Sequence, residues 1–185
     1  MFETENGFYK KAANRTTNTR VLDNGEILTC DSIKREYEAA LRLHQAEQEY
    51  FPHKDNNLFI EPYSLKHDKN GLVNGYEMEK LEGETLKHYI NPERPGEINN
   101  INTDNITSQL EQALEVITEY REPHGDLEPW NIMIDNSSNI KIFDPVGYPE
   151  DFDWKEGQIR KDQTDIEEII DELTQMETEL VQEAI

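Results

Sequence analysis

Apolar residues recur along the chain at spacings that are typical of amphipathic helices. The first such helix is predicted to begin at Asp31 or Ser32, either of which can cap it, and to run to about Tyr50. Two further helices are predicted over 106–120 and 164–184, each with an apolar residue every three to four positions. These three segments are therefore expected to supply most of the helical core.

Shorter apolar runs predict strands that are arranged as hairpins. Asp23-Asn24-Gly25 separates one pair of runs, and the segment 68–71 separates another, and both have typical hairpin-turn sequences. The predicted strands are 7–13, the two halves of 19–29, 58–67, 72–81, 131–135 and 140–143, with a short helix over 84–90 and loops over 91–105 and 145–161. Strands with one helix thus precede helices that enclose a small hairpin, which predicts an α+β fold with segregated parts.

Composition narrows the class of partner. The 185 residues include 40 acidic and 18 basic ones, and the net charge of -22 repels nucleic acid and anionic membranes, so neither is expected as a direct partner. No apolar run approaches the roughly 20 residues that span a bilayer, and no signal-peptide pattern is present. Because Cys30 is the single cysteine and cannot form an internal disulfide, a cytoplasmic location is expected.

The segment 124–144 carries the candidate chemistry. Its sequence His-Gly-Asp-Leu-Glu-Pro-Trp-Asn places Asp126 five positions before Asn131, and Asp144 follows a predicted hairpin in the sequence Asp-Pro-Val-Gly. Phosphoryl transfer needs metal ions on the phosphates and a carboxylate that orients the attacking hydroxyl. A tight loop followed by two short strands is expected to bring these three side chains to one edge of a cleft.

This segment resembles the catalytic loop and metal-binding turn of the protein-kinase-like superfamily. It is most similar to the branch of aminoglycoside, choline and fructosamine kinases, in which His-Gly-Asp replaces the His-Arg-Asp of protein kinases. The resemblance implies that Asp126 is the catalytic base and that Asn131 and Asp144 bind the metal, with His124 supporting the loop. It also implies that ATP and Mg²⁺ (or Mn²⁺) are the cofactors, and the strongly acidic chain would itself need cations to hold ATP.

Two other segments are similar to nucleotide-binding parts of this superfamily. The sequence around Met78 resembles the strand and hinge that hold adenine, with Met78 at the back of the pocket and backbone groups of Glu79 and Leu81 bonding the adenine edge. The helix that ends at Tyr50 resembles the one whose glutamate pairs with a strand lysine. Glu36 is preferred to Glu38 for that glutamate, because the residues three, four and seven positions after Glu36 are all apolar.

The phosphate-binding lysine has more than one candidate. Lys10, before Lys11, is assigned to this role because the strand 7–13 resembles the strand that carries the lysine. In a competing register the hairpin 19–29 supplies that strand, which places Thr29 where the lysine would be and leaves no phosphate lysine. The sequence contains no G-x-G-x-x-G, so a glycine-rich phosphate loop is not recognisable. Near the C-terminus, Asp165 resembles the aspartate that bonds the backbone of the catalytic loop around His124.

The resemblance implies a two-lobed fold with a truncated small lobe over 1–80, a sheet plus one helix, and a minimal helical large lobe over 81–185. The implied function is transfer of the γ-phosphoryl group of ATP to a hydroxyl, most naturally that of a small molecule. An inactive nucleotide-binding pseudokinase and a protein Ser/Thr kinase are the alternatives. The apolar stripe of the acidic C-terminal helix is a candidate surface for a protein partner.

Overall fold

A computed structural model describes residues 2–4, 7–11, 17–21, 27–54, 56–71, 73–91, 93, 95–147 and 155–183. The fold is α+β, as the sequence pattern predicts. The described residues form the α-helices α1 (Ser32–Tyr50), α2 (Leu86–Tyr89), α3 (Thr103–Tyr120) and α4 (Lys155–Glu183). Within the described residues, no helix combines the length and the apolar character that crossing a membrane requires.

The structure confirms α1 and α3 and shows how α3 is capped. Asn102 precedes α3, and its side-chain oxygen accepts a hydrogen bond from the amide of Asn105 at 3.0 Å. At the other end Arg121 adopts a left-handed conformation with φ of 53°, which stops the helix. This cap explains why α3 begins three residues before the predicted start at 106.

The prediction for α4 was wrong at its start, because the helix begins at Lys155 and not at residue 164. Ile159 and Asp162 are both buried, so the added turns extend the buried face of the helix back from Ile166. Gly157 lies in the first turn of the helix, where a Cβ would meet nothing within 4 Å. Residues 148–154, which belong to the predicted loop, lie outside the described residues.

In the described part of the chain, the strands form three separate sheets, all with antiparallel pairing. One sheet has four strands in the order β1-β2-β6-β5, a second pairs β3 with β4, and a third has the order β7-β8-β9. The strands are β1 (Phe2–Thr4), β2 (Gly7–Lys11), β3 (Thr17–Val21), β4 (Ile27–Asp31), β5 (Pro62–His67), β6 (Val73–Met78), β7 (Glu84–Thr85), β8 (Ile132–Ile134) and β9 (Ile140–Ile142).

The turn between β5 and β6 confirms one hairpin signal. The Gly71 amide donates to the Asp68 carbonyl at 2.9 Å, and Gly71 has φ of 78°, which favours glycine. The other signal, Asp23-Asn24-Gly25, lies outside the described residues, although the strands on either side of it pair. Two predictions need correction, because Glu84–Thr85 is a strand paired with β8 and not the start of a helix, and a 3₁₀-helix over Pro95–Asn100 lies within the predicted loop.

Two apolar clusters are buried among the described residues, and α1 contributes to both. The smaller cluster lies between α1 and the four-stranded sheet, and the larger one is built from α2, α3, α4 and the β8–β9 hairpin. The N-terminal half of α1 contributes Ile33 and Ala40 to the smaller cluster, and its C-terminal half contributes Leu43 and Ala46 to the larger one. Helix α1 therefore ties the sheet to the helical part of the molecule.

Candidate active site

The loop that follows α3 is held from below by a buried aspartate. The backbone amides of His124 and Gly125 donate to the two carboxylate oxygens of Asp162 at 2.7 and 2.8 Å. Gly125 has φ of 83°, a conformation that lets both consecutive amides point at one carboxylate. The prediction that Asp165 makes this contact was wrong. Asp165 lies one turn further along α4 and pairs with Lys161 at 2.5 Å.

Burial dominates the electrostatics of Asp162. The side chain has no exposed surface, and loss of hydration raises the pKa of its carboxyl to about 7, although the amides of Gly125 and His124 stabilise the charged form. The carboxyl that anchors the loop 124–131 therefore changes its protonation near neutral pH.

His124 connects the loop to the strand that precedes Asp144. Its ring Nε2 lies 3.0 Å from the carbonyl oxygen of Phe143, and its Nδ1 lies 3.4 Å from the backbone amide of Asp126. Since the amide can only donate, Nδ1 accepts, and Nε2 carries the proton that it donates to Phe143. The His124 carbonyl also accepts from the Val146 amide at 2.8 Å. The buried imidazole thus fixes both segments of the site at once.

Asn131 bonds directly to Asp126. Its side-chain Nδ2 donates to the backbone oxygen and to the carboxylate Oδ2 of Asp126, both at 2.9 Å. Asn131 is buried, and the two donated bonds orient its amide so that Oδ1 faces away from Asp126. The five-residue spacing therefore closes a compact loop. In this loop Asn131 Nδ2 holds the Asp126 carboxylate, and Asn131 Oδ1 points away from it.

Asp144 lies beside this loop in a strained conformation. The Phe143 amide donates to the Asn131 carbonyl at 3.0 Å, which brings the end of β9 against the start of β8. The next residue, Asp144, has φ of 62°, a left-handed conformation that non-glycine residues adopt at a cost and that is common at functional sites. A continuous set of hydrogen bonds therefore joins the segments that carry Asp126, Asn131 and Asp144.

The two candidates for the phosphate lysine occupy different register positions. Lys10 lies directly opposite Tyr76 of β6, and Lys11 lies opposite Gly75. Directly opposed residues share a sheet face, so position 10 lies on the face from which Tyr76 reaches α1. The neighbours of β6 are β2 and β5, so the strand that carries Lys10, not the one that carries Thr29, lies beside it.

Glu36, the α1 residue predicted to pair with the lysine, also lies in this region. The Glu36 carboxylate accepts a hydrogen bond from the Tyr76 hydroxyl at 2.7 Å. The neighbouring residues of the helix support the choice of face, because Ala39, Ala40 and Leu43 are all buried. Glu36 is therefore on the side of α1 that faces the four-stranded sheet.

The predicted hinge follows β6. Met78 is fully buried and Leu81 nearly so. The Glu79 amide donates to the Glu61 carbonyl at 2.9 Å, and the Glu79 side chain accepts from the Glu61 amide and pairs with Lys141 at 2.9 Å. The Glu79 amide is therefore used inside the protein, so the Glu79 carbonyl and the backbone of Leu81 are what remains of the predicted adenine contacts.

Glu47, which no sequence motif indicated, links α1 to β9. Its buried carboxylate accepts from the amides of Leu58 and Phe59 at 2.6 and 2.9 Å. This segment in turn bonds β9, because the Ile142 amide donates to the Leu58 carbonyl at 2.7 Å and the Ile142 carbonyl accepts from Ile60 at 3.0 Å. The strand that leads to Asp144 is therefore held by α1 through one carboxylate.

Gly147, the last residue of the Asp-Pro-Val-Gly turn, lies against the backbone of Arg35 in α1. A Cβ at position 147 would overlap the carbonyl group and the Cβ of Arg35. The turn can therefore approach α1 this closely only with glycine at this position.

Gly147→Ala is expected to destabilise the protein by about 1–3 kcal/mol, because the turn must withdraw from α1 to admit the methyl group. Urea denaturation of wild type and variant measures this difference. Gly157→Ala is the control, since a Cβ there meets nothing within 4 Å and the change should not lower the stability. Equal stability of Gly147→Ala and wild type would show that the turn does not pack on α1 in this way.

The described residues contain no group of three or more His, Cys, Asp or Glu side chains that could hold a metal ion alone. The resemblance assigns the metal to side-chain oxygens of Asp144 and Asn131. Carboxylate and amide oxygens suit Mg²⁺, which keeps several waters and is commonly bound through one or two protein groups plus substrate phosphates. The residues present therefore fit a metal that arrives with a nucleotide.

No protein-family model matches the chain.

Sequence reasoning missed three residues of this site: Asp162, Glu47 and Tyr76. Helical phase could have found the first, since Asp162 precedes the buried Ile166 by four positions and Ile169 by seven. Glu47 follows the buried Leu43 by four positions in the same way. An acidic residue in phase with an apolar stripe is the signal that was available in both cases.

Proposed function

We propose that this protein is an ATP- and divalent-metal-dependent phosphotransferase with a two-lobed protein-kinase-like fold, which transfers the γ-phosphoryl group to a hydroxyl of a small molecule. The observation that carries the proposal is the hydrogen-bonded unit of Asp126, Asn131 and the Phe143–Asp144 turn. The carboxylates of Asp126 and Asp144 and the amide oxygen of Asn131 are the kinds of group that phosphoryl transfer requires.

The arrangement of the elements supports the fold part of this proposal. Helix α1 packs on an antiparallel sheet through the smaller apolar cluster, and the catalytic loop and the β8–β9 hairpin belong to the larger one. The segment 79–81 connects the four-stranded sheet to the part of the chain that contains β7, α2 and α3. A nucleotide bound at this segment would lie between the two clusters.

Each group has a distinct role in the proposed reaction. Asp126 accepts the proton of the acceptor hydroxyl as the hydroxyl oxygen bonds to the γ-phosphorus. The bond between the γ-phosphorus and the bridging β-phosphate oxygen breaks at the same time, which releases ADP. Asn131 through Oδ1, and Asp144, would hold Mg²⁺ or Mn²⁺, which neutralises charge on the phosphates. Lys10 and Glu36 would act on the phosphate side, and the Glu79 carbonyl and Leu81 backbone would bind adenine in front of Met78.

Mg²⁺–ATP is expected to raise the melting temperature of the wild-type protein. At a concentration 100 times Kd the stabilisation is about 2.7 kcal/mol, which for a chain of this size corresponds to roughly 5–10 °C. The shift should require the metal, because a chain of net charge -22 repels free ATP. Differential scanning fluorimetry with and without Mg²⁺ measures it, and absence of a shift at millimolar nucleotide would rule out the proposal.

ATP turnover then separates an enzyme from a binding protein. Release of ADP by wild type, and its loss in Asp144→Ala, would support catalysis, whereas equal turnover by both would remove Asp144 from the mechanism. The second candidate, a nucleotide-binding pseudokinase, is favoured by one feature, the absence of G-x-G-x-x-G from the sequence. A thermal shift without turnover on sugars, amino alcohols or basic proteins would favour that candidate.

A further inference from the structure

Tyr76 is a fully buried tyrosine in the middle of the four-stranded sheet. A buried phenol needs a hydrogen-bond partner, and the Tyr76 hydroxyl donates to Oε1 of Glu36 at 2.7 Å. Its ring also meets the ring of Tyr37 edge to face, with the centroids 5.7 Å apart. Strand β6 is thus bonded to α1 by a rigid side chain whose length sets the separation of the two elements.

The position of Tyr76 relates it to the nucleotide side of the site. It precedes Met78 by two residues on the same strand, so both lie on one sheet face, and it lies opposite Lys10 in the register. Burial, Glu36 and then Asp144 all raise the pKa of the Tyr76 hydroxyl. The phenol therefore stays protonated and remains a donor, and the charge of Asp144 reaches it.

The strength of this contact follows from its chemistry. A hydrogen bond from a neutral hydroxyl to a carboxylate is stronger than one between neutral groups, and its short length agrees with that. Glu36 is only partly buried, so part of its side chain contacts solvent. Tyr76 gives its carboxylate a buried donor from the strand that leads directly into the predicted hinge.

We propose that Tyr76 is a positioning residue for the nucleotide site, which holds the Glu36 carboxylate and thereby fixes α1 against the strand that leads to the hinge. This inference rests on the proposed function, because it assigns Tyr76 to the binding of the same nucleotide. Glu36 then faces the phosphate side in a set orientation before the nucleotide arrives, so that less ordering is required on binding.

Tyr76→Phe tests the proposal, since it removes the hydroxyl and keeps the ring. We expect Mg²⁺–ATP to bind about 2- to 12-fold more weakly, because the Glu36 side chain would then have to be ordered when the nucleotide binds. Tyr63→Phe is the matched control, because Tyr63 is an exposed tyrosine of the same sheet and should bind as wild type does. Isothermal titration calorimetry gives Kd for each variant, and melting of the free proteins reports any general loss of stability.

Glu36→Gln provides the second arm. If Tyr76 acts through Glu36, the double variant Tyr76→Phe/Glu36→Gln should bind no more weakly than the weaker single variant. Wild-type affinity in Tyr76→Phe, even with a lowered melting temperature, would overturn the proposal and show that the contact is structural. Independent, multiplying effects of the two changes would also overturn it. A wild-type protein that binds no nucleotide would instead overturn the proposed function, and the role of Tyr76 with it.

Discussion

Replacement of Asp126 by asparagine is expected to lower kcat for ATP turnover by about 10²- to 10⁴-fold, which is the typical contribution of a positioned general base. Asparagine cannot accept the proton of the acceptor hydroxyl. The fold of the loop should survive, because Asn131 also donates to the backbone oxygen of Asp126 and the amides of His124 and Gly125 are held by Asp162. Coupled-enzyme detection of ADP measures the rate.

The variant should keep its nucleotide site. Asp126 is not one of the two groups assigned to the metal, so the thermal shift with Mg²⁺–ATP is expected to match that of wild type. Asp171→Asn, the same chemical change at an exposed position of α4, controls for the loss of one surface charge. A wild-type rate in Asp126→Asn would exclude Asp126 as the base, and loss of both rate and thermal shift would point to a collapsed loop.

The site depends on contacts between segments that are far apart in the chain. Asp162 is 38 positions from the His124 amide that it accepts from, and Glu36 is 40 positions from Tyr76. Each contact joins a helix that packs in an apolar cluster to a loop or strand of the candidate site, so packing of the cluster sets the geometry of that site. A change in the core is therefore expected to reach the site through these few polar contacts.

Local sequence predicted the parts of the fold that local physics determines. The helical stripes of α1 and α3 and the turn at 68–71 follow from spacing and turn chemistry within a few residues. The short loop between Asp126 and Asn131 also closes on itself, as the spacing predicts. Those predictions needed no knowledge of distant neighbours.

The predictions that failed depended on tertiary position. The local sequence predicts that the last helix begins at Thr164. In the structure, burial of Ile159 and Asp162 extends α4 back to Lys155. With the helix start placed at residue 164, Asp165 was the predicted partner of the loop amides, whereas Asp162 accepts from them in the structure. The sequence near Tyr76 does not predict its contact with Glu36, because the same strand sequence is compatible with a tyrosine hydroxyl that bonds a carboxylate and with one that bonds water.

Folding stability is expected to fall by about 4 kcal/mol between pH 4 and pH 7.5 through Asp162 alone. Burial raises the pKa of this carboxyl from the model-compound value of 3.8 to about 7 in the folded protein. Between these two values the folded protein holds a proton that the unfolded chain has released, so raising the pH favours unfolding. A difference of roughly three pKa units, at about 1.4 kcal/mol each, gives the stated magnitude.

Urea denaturation at several pH values measures this effect as a difference from Asp162→Asn, because mutual repulsion among the 40 acidic residues also weakens the fold as the pH rises. The variant should lose the Asp162 part of the slope and keep the rest. Asp171→Asn removes an exposed carboxylate from the same helix without touching the loop amides, and its slope should stay close to that of wild type. If Asp162→Asn shows the full wild-type slope, the loop is anchored by a carboxylate that is ionised throughout this range, and the anchor does not sense pH.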